Sequence, residues 1–260
     1  MIDLHAHLLP GVDDGPADER GALALADRAV RSGITAMAAT PHIDHRHGVE
    51  PAALRERAAT LQQALADEGI PLRVLQGGEI TTARLYELDV DELRDLTLGG
   101  GRHLLLECPF GRTSGMADAV FRAQALGFDV LLAHPERSAE FIGRLPALAA
   151  LVERGAATQI TASSLDGAFG RPVQTAALEM LAAGLVHVVA SDAHDAERRP
   201  PELRASLERA ARWFKGLGER ADYWVQEAPG AIVAAERVPP PPVIKRRRSQ
   251  TLARALSGRR

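Results

Sequence analysis

Cysteine occurs once in these 260 residues, at Cys108, and lysine twice, at Lys215 and Lys245. A lone cysteine excludes an intramolecular disulfide framework and a cysteine-based zinc cluster, so any metal must be held by histidines and carboxylates. The scarcity of lysine removes the Gly-x-x-x-x-Gly-Lys phosphate loop, and Lys215, in the helical stretch Ala211-Arg212-Trp213-Phe214-Lys215, is a poor Schiff-base candidate. Aromatics make up only 4% of the chain. No apolar stretch reaches the roughly 18 residues of a membrane span, and no basic region precedes the apolar run at the start, so a cytoplasmic protein is expected. What remains is 46% apolar and 25% charged, with arginine as the main base, an ordinary composition for one large α/β domain.

One unit recurs along the chain: an alanine- and leucine-rich helical stretch, a glycine, then a short β-branched run. The junction glycines are Gly33, Gly69, Gly127, Gly155 and Gly184, each where a helix would end in a left-handed residue. The runs predict seven strands near 2–5, 34–40, 72–78, 103–107, 129–133, 158–161 and 187–191. Strands alternating with helices imply a parallel sheet, either closed as a barrel or open and doubly wound. The position of the chemically active residues favours the barrel, because α/β barrels carry their sites at the carboxyl ends of the strands.

Those residues are His5 and His7 after the first strand, His42 after the second, Glu79 after the third, Glu107 after the fourth, His134 after the fifth, and Asp192 with His194 after the seventh. Ser163 and Ser164 follow the sixth. A single histidine at a strand end is ordinarily a hydrogen-bonded surface or core residue. Eight imidazoles and carboxylates on one rim are hard to explain by packing, which places apolar residues there, and the set points to metal ligation. His-x-His and Asp-x-His each put two ligands on one face of a strand. In Asp13-Asp14-Gly15-Pro16, Asp14 is taken as a further ligand folding back over the rim. His45 and His47 read as a solvated loop, and His103 and His187, opening strands at the opposite rim, as structural.

His5-x-His7, Thr40-Pro41-His42, Gly78-Glu79-Ile80, Glu107, His134-Pro135-Glu136-Arg137 and Ser191-Asp192-Ala193-His194 together resemble the PHP superfamily, named for polymerase and histidinol phosphatase. The opening Met1-Ile2-Asp3-Leu4-His5-Ala6-His7, Val12-Asp13-Asp14-Gly15-Pro16 and the run from Ser191 through Arg199-Pro200-Pro201 are similar to one branch of it. That branch is the metal-dependent protein-tyrosine phosphatases of bacterial capsule and exopolysaccharide clusters. The resemblance spans about residues 1 to 236.

It implies an α/β, distorted (β/α)7 TIM-like barrel, the PHP fold. It also implies three divalent metal ions, manganese, with iron or zinc as alternatives. By the same resemblance His5, His7, Glu79 and Asp192 surround one ion, Glu79, Glu107 and His134 the second, and Asp14, His42 and His194 the third. The implied activity is hydrolysis of phosphotyrosine in a membrane-associated bacterial tyrosine kinase that controls polysaccharide export. Clustered cations suit this chemistry, since they neutralise a phosphomonoester dianion and generate hydroxide from water at neutral pH. His42 or His194 is a candidate proton carrier. Arg137 and Arg199, three and five residues past the ligands His134 and His194, are expected to overhang the rim and fork onto phosphate oxygens.

Rival chemistries fit the letters less well. A cysteine phosphatase needs Cys-x5-Arg, whereas Cys108-Pro109-Phe110-Gly111-Arg112 brings the arginine two positions early, so Cys108 reads as a small buried residue. An amidohydrolase with a bridging carboxylated lysine needs lysine on a middle strand, where Glu79 and Glu107 stand instead. A PHP-type phosphatase of histidinol phosphate or a nucleotide shares the metal set and remains the alternative, and a non-catalytic module with a structural metal site is a more distant one. The expected domain ends at residue 237. From Val238, Pro239-Pro240-Pro241-Pro242 and a basic end of seven basic and no acidic residues predict a disordered tail over 238–260. Such a tail either only keeps the protein soluble or contacts anionic lipid or an acidic partner, without specific nucleic-acid recognition. The oligomeric state stays open.

Overall fold

The computed structural model describes residues 1–111 and 115–247. Nine parallel strand segments build the barrel: β1 (Ile2–Ala6), β2 (Ala36–Ala39), β3 (His42–Ile43), β4 (Arg73–Gln76), β5 (Glu79–Ile80), β6 (His103–Glu107), β7 (Asp129–Ala133), β8 (Ala157–Thr161) and β9 (Val188–Ala190). They form two sheets, ordered β1-β2-β4 and β3-β5-β6-β7-β8-β9, and a parallel bridge between Ala6 and Ala193 joins the end of β1 to the chain just past β9. The expected second and third strands are each continued by a short segment beyond their expected ends, β3 after the break at Thr40-Pro41 and β5 after the break at Gly77-Gly78. Proline cannot donate to a ladder. At Gly78 a Cβ would lie 2.8 Å from both Ile43 and Leu96, so only glycine lets the chain pass. Counting each broken pair as one strand gives the seven-stranded ring that the sequence predicts.

The five junction glycines all have positive φ, between 67° and 95°, as the ends of the preceding helices require. The helices cover the ring from outside. Ala6, Met37, Ala39, Leu104, Leu106, Val130, Leu132 and Val189 face them in a large apolar layer with helix residues such as Leu25, Ala26 and Leu54. Leu4, Ala38, Leu75, Leu105, Leu131 and Val188 fill the interior, packed against Leu98 and Ile232. The barrel is therefore solid below its functional rim. Among the described residues no helix is long and apolar enough to cross a membrane.

A register shift lies in β1: Asp3 pairs with Met37 but Ala6 with Ala39, one residue more on β1 than on its partner. Leu4 thus belongs to the inner cluster and Ala6 to the outer layer, and the change of face turns His5, on β1, and His7, just past it, toward the centre.

At the opposite rim His103 and His187 are buried, and the Thr158 N–H donates to His187 Nδ1 at 3.2 Å. Burial, helped by His103, pushes the His187 imidazole down to about 4. The unfolded chain binds that proton near pH 6.5, so it takes up more protons than the folded chain as pH falls from 6.5 to 4. Stability is full above that window and declines through it. His187→Asn, whose Oδ1 can keep the Thr158 bond, is expected to remove about 3 kcal/mol of this acid-side loss relative to the parent in urea titrations at pH 7 and pH 4.

The tail departs from expectation over 238–247. Lys245–Arg246 pairs antiparallel with Phe214–Lys215, the Tyr223 hydroxyl donates to Pro239 O at 2.6 Å, and the Arg247 N–H donates to Trp213 O at 2.8 Å. The proline run lacks helix-forming capacity but is suited to an extended strap, and Ile244 supplies a buried apolar anchor. Residues 248–260 of the expected tail, and Arg112, lie outside the described residues.

Candidate metal centre

The nine side chains singled out as ligands converge at the carboxyl-terminal rim. Four overlapping groups have their nitrogen and oxygen atoms within 4.8 Å of one another: His7 with Asp14, His42 and His194; His5 with Glu79 and His134; His5 with His7 and Asp192; and His42 with Glu79 and Glu107. Glu79 lies at the centre. Its Oε1 is 2.7 Å from His134 Nε2, and its Oε2 is 3.0 Å from His42 Nδ1, 3.4 Å from His5 Nε2 and 3.5 Å from His7 Nε2. Asp192 Oδ1 lies 3.6 Å from His5 Nε2 and 3.5 Å from His7 Nε2. The grouping differs from the implied partition: Glu107 joins His42 and Glu79 rather than Glu79 and His134, His134 joins His5 and Glu79, His7 also joins Asp14, His42 and His194, and Glu79 is absent from the group of His5, His7 and Asp192.

Local backbone explains the convergence. His42 and Glu79 are register partners across β3 and β5. His134 and Asp192, just past β7 and β9, adopt left-handed φ of 37° and 52°, a strained choice for residues with a Cβ that re-aims each side chain off its strand. The Asp13–Pro16 loop packs directly on the end of β1: a Cβ on Gly15 would sit 2.5 Å from His7 O. That contact brings Asp14 Oδ1 to 3.2 Å from His194 Nε2 and 3.5 Å from His42 Nε2, although half of the Asp14 side chain stays exposed.

The donor set fits divalent cations. His5 Nε2, His7 Nε2, His42 Nδ1, Glu79 Oε2 and His134 Nδ1 are buried without a hydrogen-bond partner, an expensive arrangement for polar atoms unless something else satisfies them. Imidazole nitrogen with carboxylate oxygen suits manganese, iron or zinc. The electrostatics run the same way. Burial pushes the Glu79 carboxyl up, but the imidazoles of His5, His134 and His42 outweigh it and hold it well below the usual range. Asp192 is held down likewise by His5, His7 and Arg199 against its own burial. Against their own desolvation, His5 is pulled up by Glu79 and Asp192, and His7 by Asp13, Asp192 and Glu79. The carboxylates thus draw positive charge into a closed space, which is what a cation supplies.

Both sequence-predicted arginines reach the site, and both grip Asp192. Arg137 donates to Asp192 Oδ2 at 2.6 Å, and an Arg199 terminal nitrogen lies 2.7 Å from the same oxygen and donates to Asp192 O at 3.0 Å. Cys108 is fully buried, and burial raises its thiol well above the ordinary value, so it is no nucleophile. His45 pairs with Glu87 away from the cluster. His47, set aside as loop, instead stacks on His42 with ring centroids 5.2 Å apart and Asp44 at its Nδ1.

Sequence reasoning missed the residues that orient the ligands. Asp13 Oδ2 accepts from His7 Nδ1 at 2.6 Å and from the His42 N–H at 3.0 Å. His7 and these bonds outweigh burial and lower the Asp13 carboxyl to about 2. Gln159, on β8, is 3.0 Å from His5 Nδ1 through its Oε1. Each fixes the tautomer that turns Nε2 inward. Nothing in Asp13-Asp14 distinguishes the two roles; period 2 on β8 was the available signal for Gln159. Ser164 donates to Glu136 Oε1 rather than joining the cluster. Asp13→Asn is expected to weaken metal binding by about 10- to 100-fold while leaving the far-ultraviolet circular dichroism unchanged, as read by metal titration of the stripped protein.

The family described as capsular polysaccharide synthesis, CpsB/CapC, matches residues 1–221. Tyrosine-protein phosphatase YwqE of Bacillus subtilis (strain 168) is 38% identical over 254 residues, 95% of this chain and 98% of that protein. Tyrosine-protein phosphatase CpsB of Streptococcus pneumoniae is 27% identical over 229 residues, 82% of this chain and 91% of its own length. A solved structure from work on YwqE and CpsB, described as unique metal-dependent tyrosine phosphatases, superposes with a TM-score of 0.82 at 37% identity, covering 94% of this chain and 99% of that one.

Proposed function

Because the chain belongs to the CpsB/CapC capsular polysaccharide synthesis family, we propose that it is a metal-dependent protein-tyrosine phosphatase hydrolysing phosphotyrosine in proteins. The observation that carries this reading is the convergence of nine imidazoles and carboxylates around buried Glu79, with two arginines at the edge. The finer assignment has three cations, manganese with iron or zinc as alternatives, held by His5, His7, Asp14, His42, Glu79, Glu107, His134, Asp192 and His194. Divalent cations bound there supply positive charge to phosphoryl oxygens and acidify water.

The chain's own groups do the rest. Arg137 and Arg199 each have five N–H donors, more than their bonds to Asp192 consume, and the remaining ones are assigned to phosphoryl oxygens. Asp192 holds both guanidiniums in place before substrate arrives, which removes their ordering cost from the reaction. Asp13 keeps the His7 imidazole, and Gln159 the His5 imidazole, from rotating. His42 or His194 can pass a proton to the leaving tyrosyl oxygen only when no cation holds its Nε2 beside Asp14; a phenolate leaves readily, so the demand on that acid is modest. The setting that fits is the cytoplasm. The substrate partner that fits is a membrane-associated tyrosine kinase of polysaccharide export, consistent with relatives named as tyrosine-protein phosphatases.

A manganese-reconstituted assay on phosphotyrosine and phosphoserine peptides, histidinol phosphate and a nucleotide monophosphate tests the reading. The phosphotyrosine peptide is expected to have the highest kcat/KM. Faster turnover of histidinol phosphate would overturn it.

A further inference from the structure

We propose that Phe110 forms an aromatic wall at the mouth of the site that receives the phenyl ring of the substrate and so separates aryl from alkyl phosphates; this rests on the phosphotyrosine reading above. Phe110 lies three residues beyond Glu107, where β6 delivers the chain to the metal rim. The residue is 51% exposed, although a large apolar ring gains by burial. The ring stacks on the imidazole of His134, with centroids 5.5 Å apart and planes at 22°. The Arg137 guanidinium carbon sits 4.6 Å from its centroid and 4.3 Å from that of Phe169, held between the two rings.

These contacts fix a line of chemistry. Asp192 holds Arg137 at 2.6 Å, Arg137 leans on Phe110, and Phe110 leans on His134. A group presenting its phosphoryl oxygens to Arg137 therefore has its ester substituent beside the exposed part of the Phe110 ring. A phenyl substituent meets that ring in an offset or edge-to-face contact, whereas a serine-like substituent is too short and lacks the ring. The wall is rigid because a cation and an imidazole brace it, so little ordering is lost when the substrate ring docks.

The test separates recognition of the ring from mere support of Arg137. Phe110→Ala, Phe110→Leu and Phe110→Trp are compared with the parent, all loaded with manganese, for binding of phenylphosphonate and methylphosphonate by calorimetry and for hydrolysis of phenyl phosphate and glycerol phosphate. In Phe110→Ala, phenylphosphonate binding and phenyl phosphate kcat/KM are expected to fall about tenfold, the scale of one aromatic contact, with methylphosphonate affinity, glycerol phosphate turnover and metal content unchanged. Leucine should recover part of the loss and tryptophan most of it. An equal fall on both ligand classes would mean that Phe110 acts only through Arg137, and unchanged phenylphosphonate binding would mean that the ring is not contacted; either overturns the inference. A parent enzyme that fails to prefer phosphotyrosine over phosphoserine peptides overturns the reading beneath it, and the inference with it.

Discussion

Glu79→Gln is expected to lower kcat/KM by about a thousandfold, the scale of removing one partner from a buried charge cluster, and to release most of the bound metal. Glu79 is fully buried at the one point where His5, His7, His42 and His134 all approach a carboxylate, at 2.7 to 3.5 Å. Glutamine has the same shape, so the β5 backbone and the glycine passage before it stay intact. What changes is charge and polarity: an anion that faces four imidazoles becomes a neutral group, half of it a donor. Metal content after dialysis and the rate constant, measured on one preparation with thermal melting as the folding control, check it. A variant that keeps its metal and a tenth of the parent activity would remove Glu79 from the centre of the site.

Arg199→Ala is expected to lose roughly a hundredfold in phosphotyrosine turnover, the effect of deleting one preorganised donor to a charged oxygen, while keeping its metal. The structure gives the reason for the second half. Asp192 is gripped twice, and with Arg199 gone Arg137 still donates to its Oδ2 at 2.6 Å, so the carboxylate keeps its partner and its aim. Arg199 is a third exposed and reaches the same oxygen from outside, the direction from which a substrate comes. Arg199→Lys should restore little, because an ammonium offers no planar fork for paired phosphate oxygens. Loss of metal in Arg199→Ala would instead make this arginine a support for Asp192, and full activity would remove it from the reaction altogether.

Much of this was legible in the sequence because barrels separate structural from chemical positions. The glycines at 33, 69, 127, 155 and 184 mark helix ends through a conformational need that hardly any other residue meets, and they announce five of the seven strands. Imidazoles and acids at the ends of those strands then had to share a rim. Other features hang on backbone detail that letters do not carry. The register shift in β1 and the left-handed turns at His134 and Asp192 arise from tertiary closure, not local propensity. Asp13 and Asp14 are chemically identical neighbours, and only the close approach of Gly15 to His7 sends one behind the imidazole and the other over the rim. The proline-rich segment looked free because its own residues offer no core; its contacts come from Tyr223, Trp213 and the 214–215 strand, far away in the chain. Phe110 was passed over because a lone aromatic between a proline and a glycine carries no periodic signal.

The most direct measurement is phosphotyrosine-peptide hydrolysis by one preparation before chelation, after exhaustive removal of divalent ions with the metal content recorded, and after manganese is returned. The account predicts activity that disappears with the metal and comes back with it, while the stripped chain remains folded. Hydrolysis that continues at the parent rate in the stripped protein would contradict it.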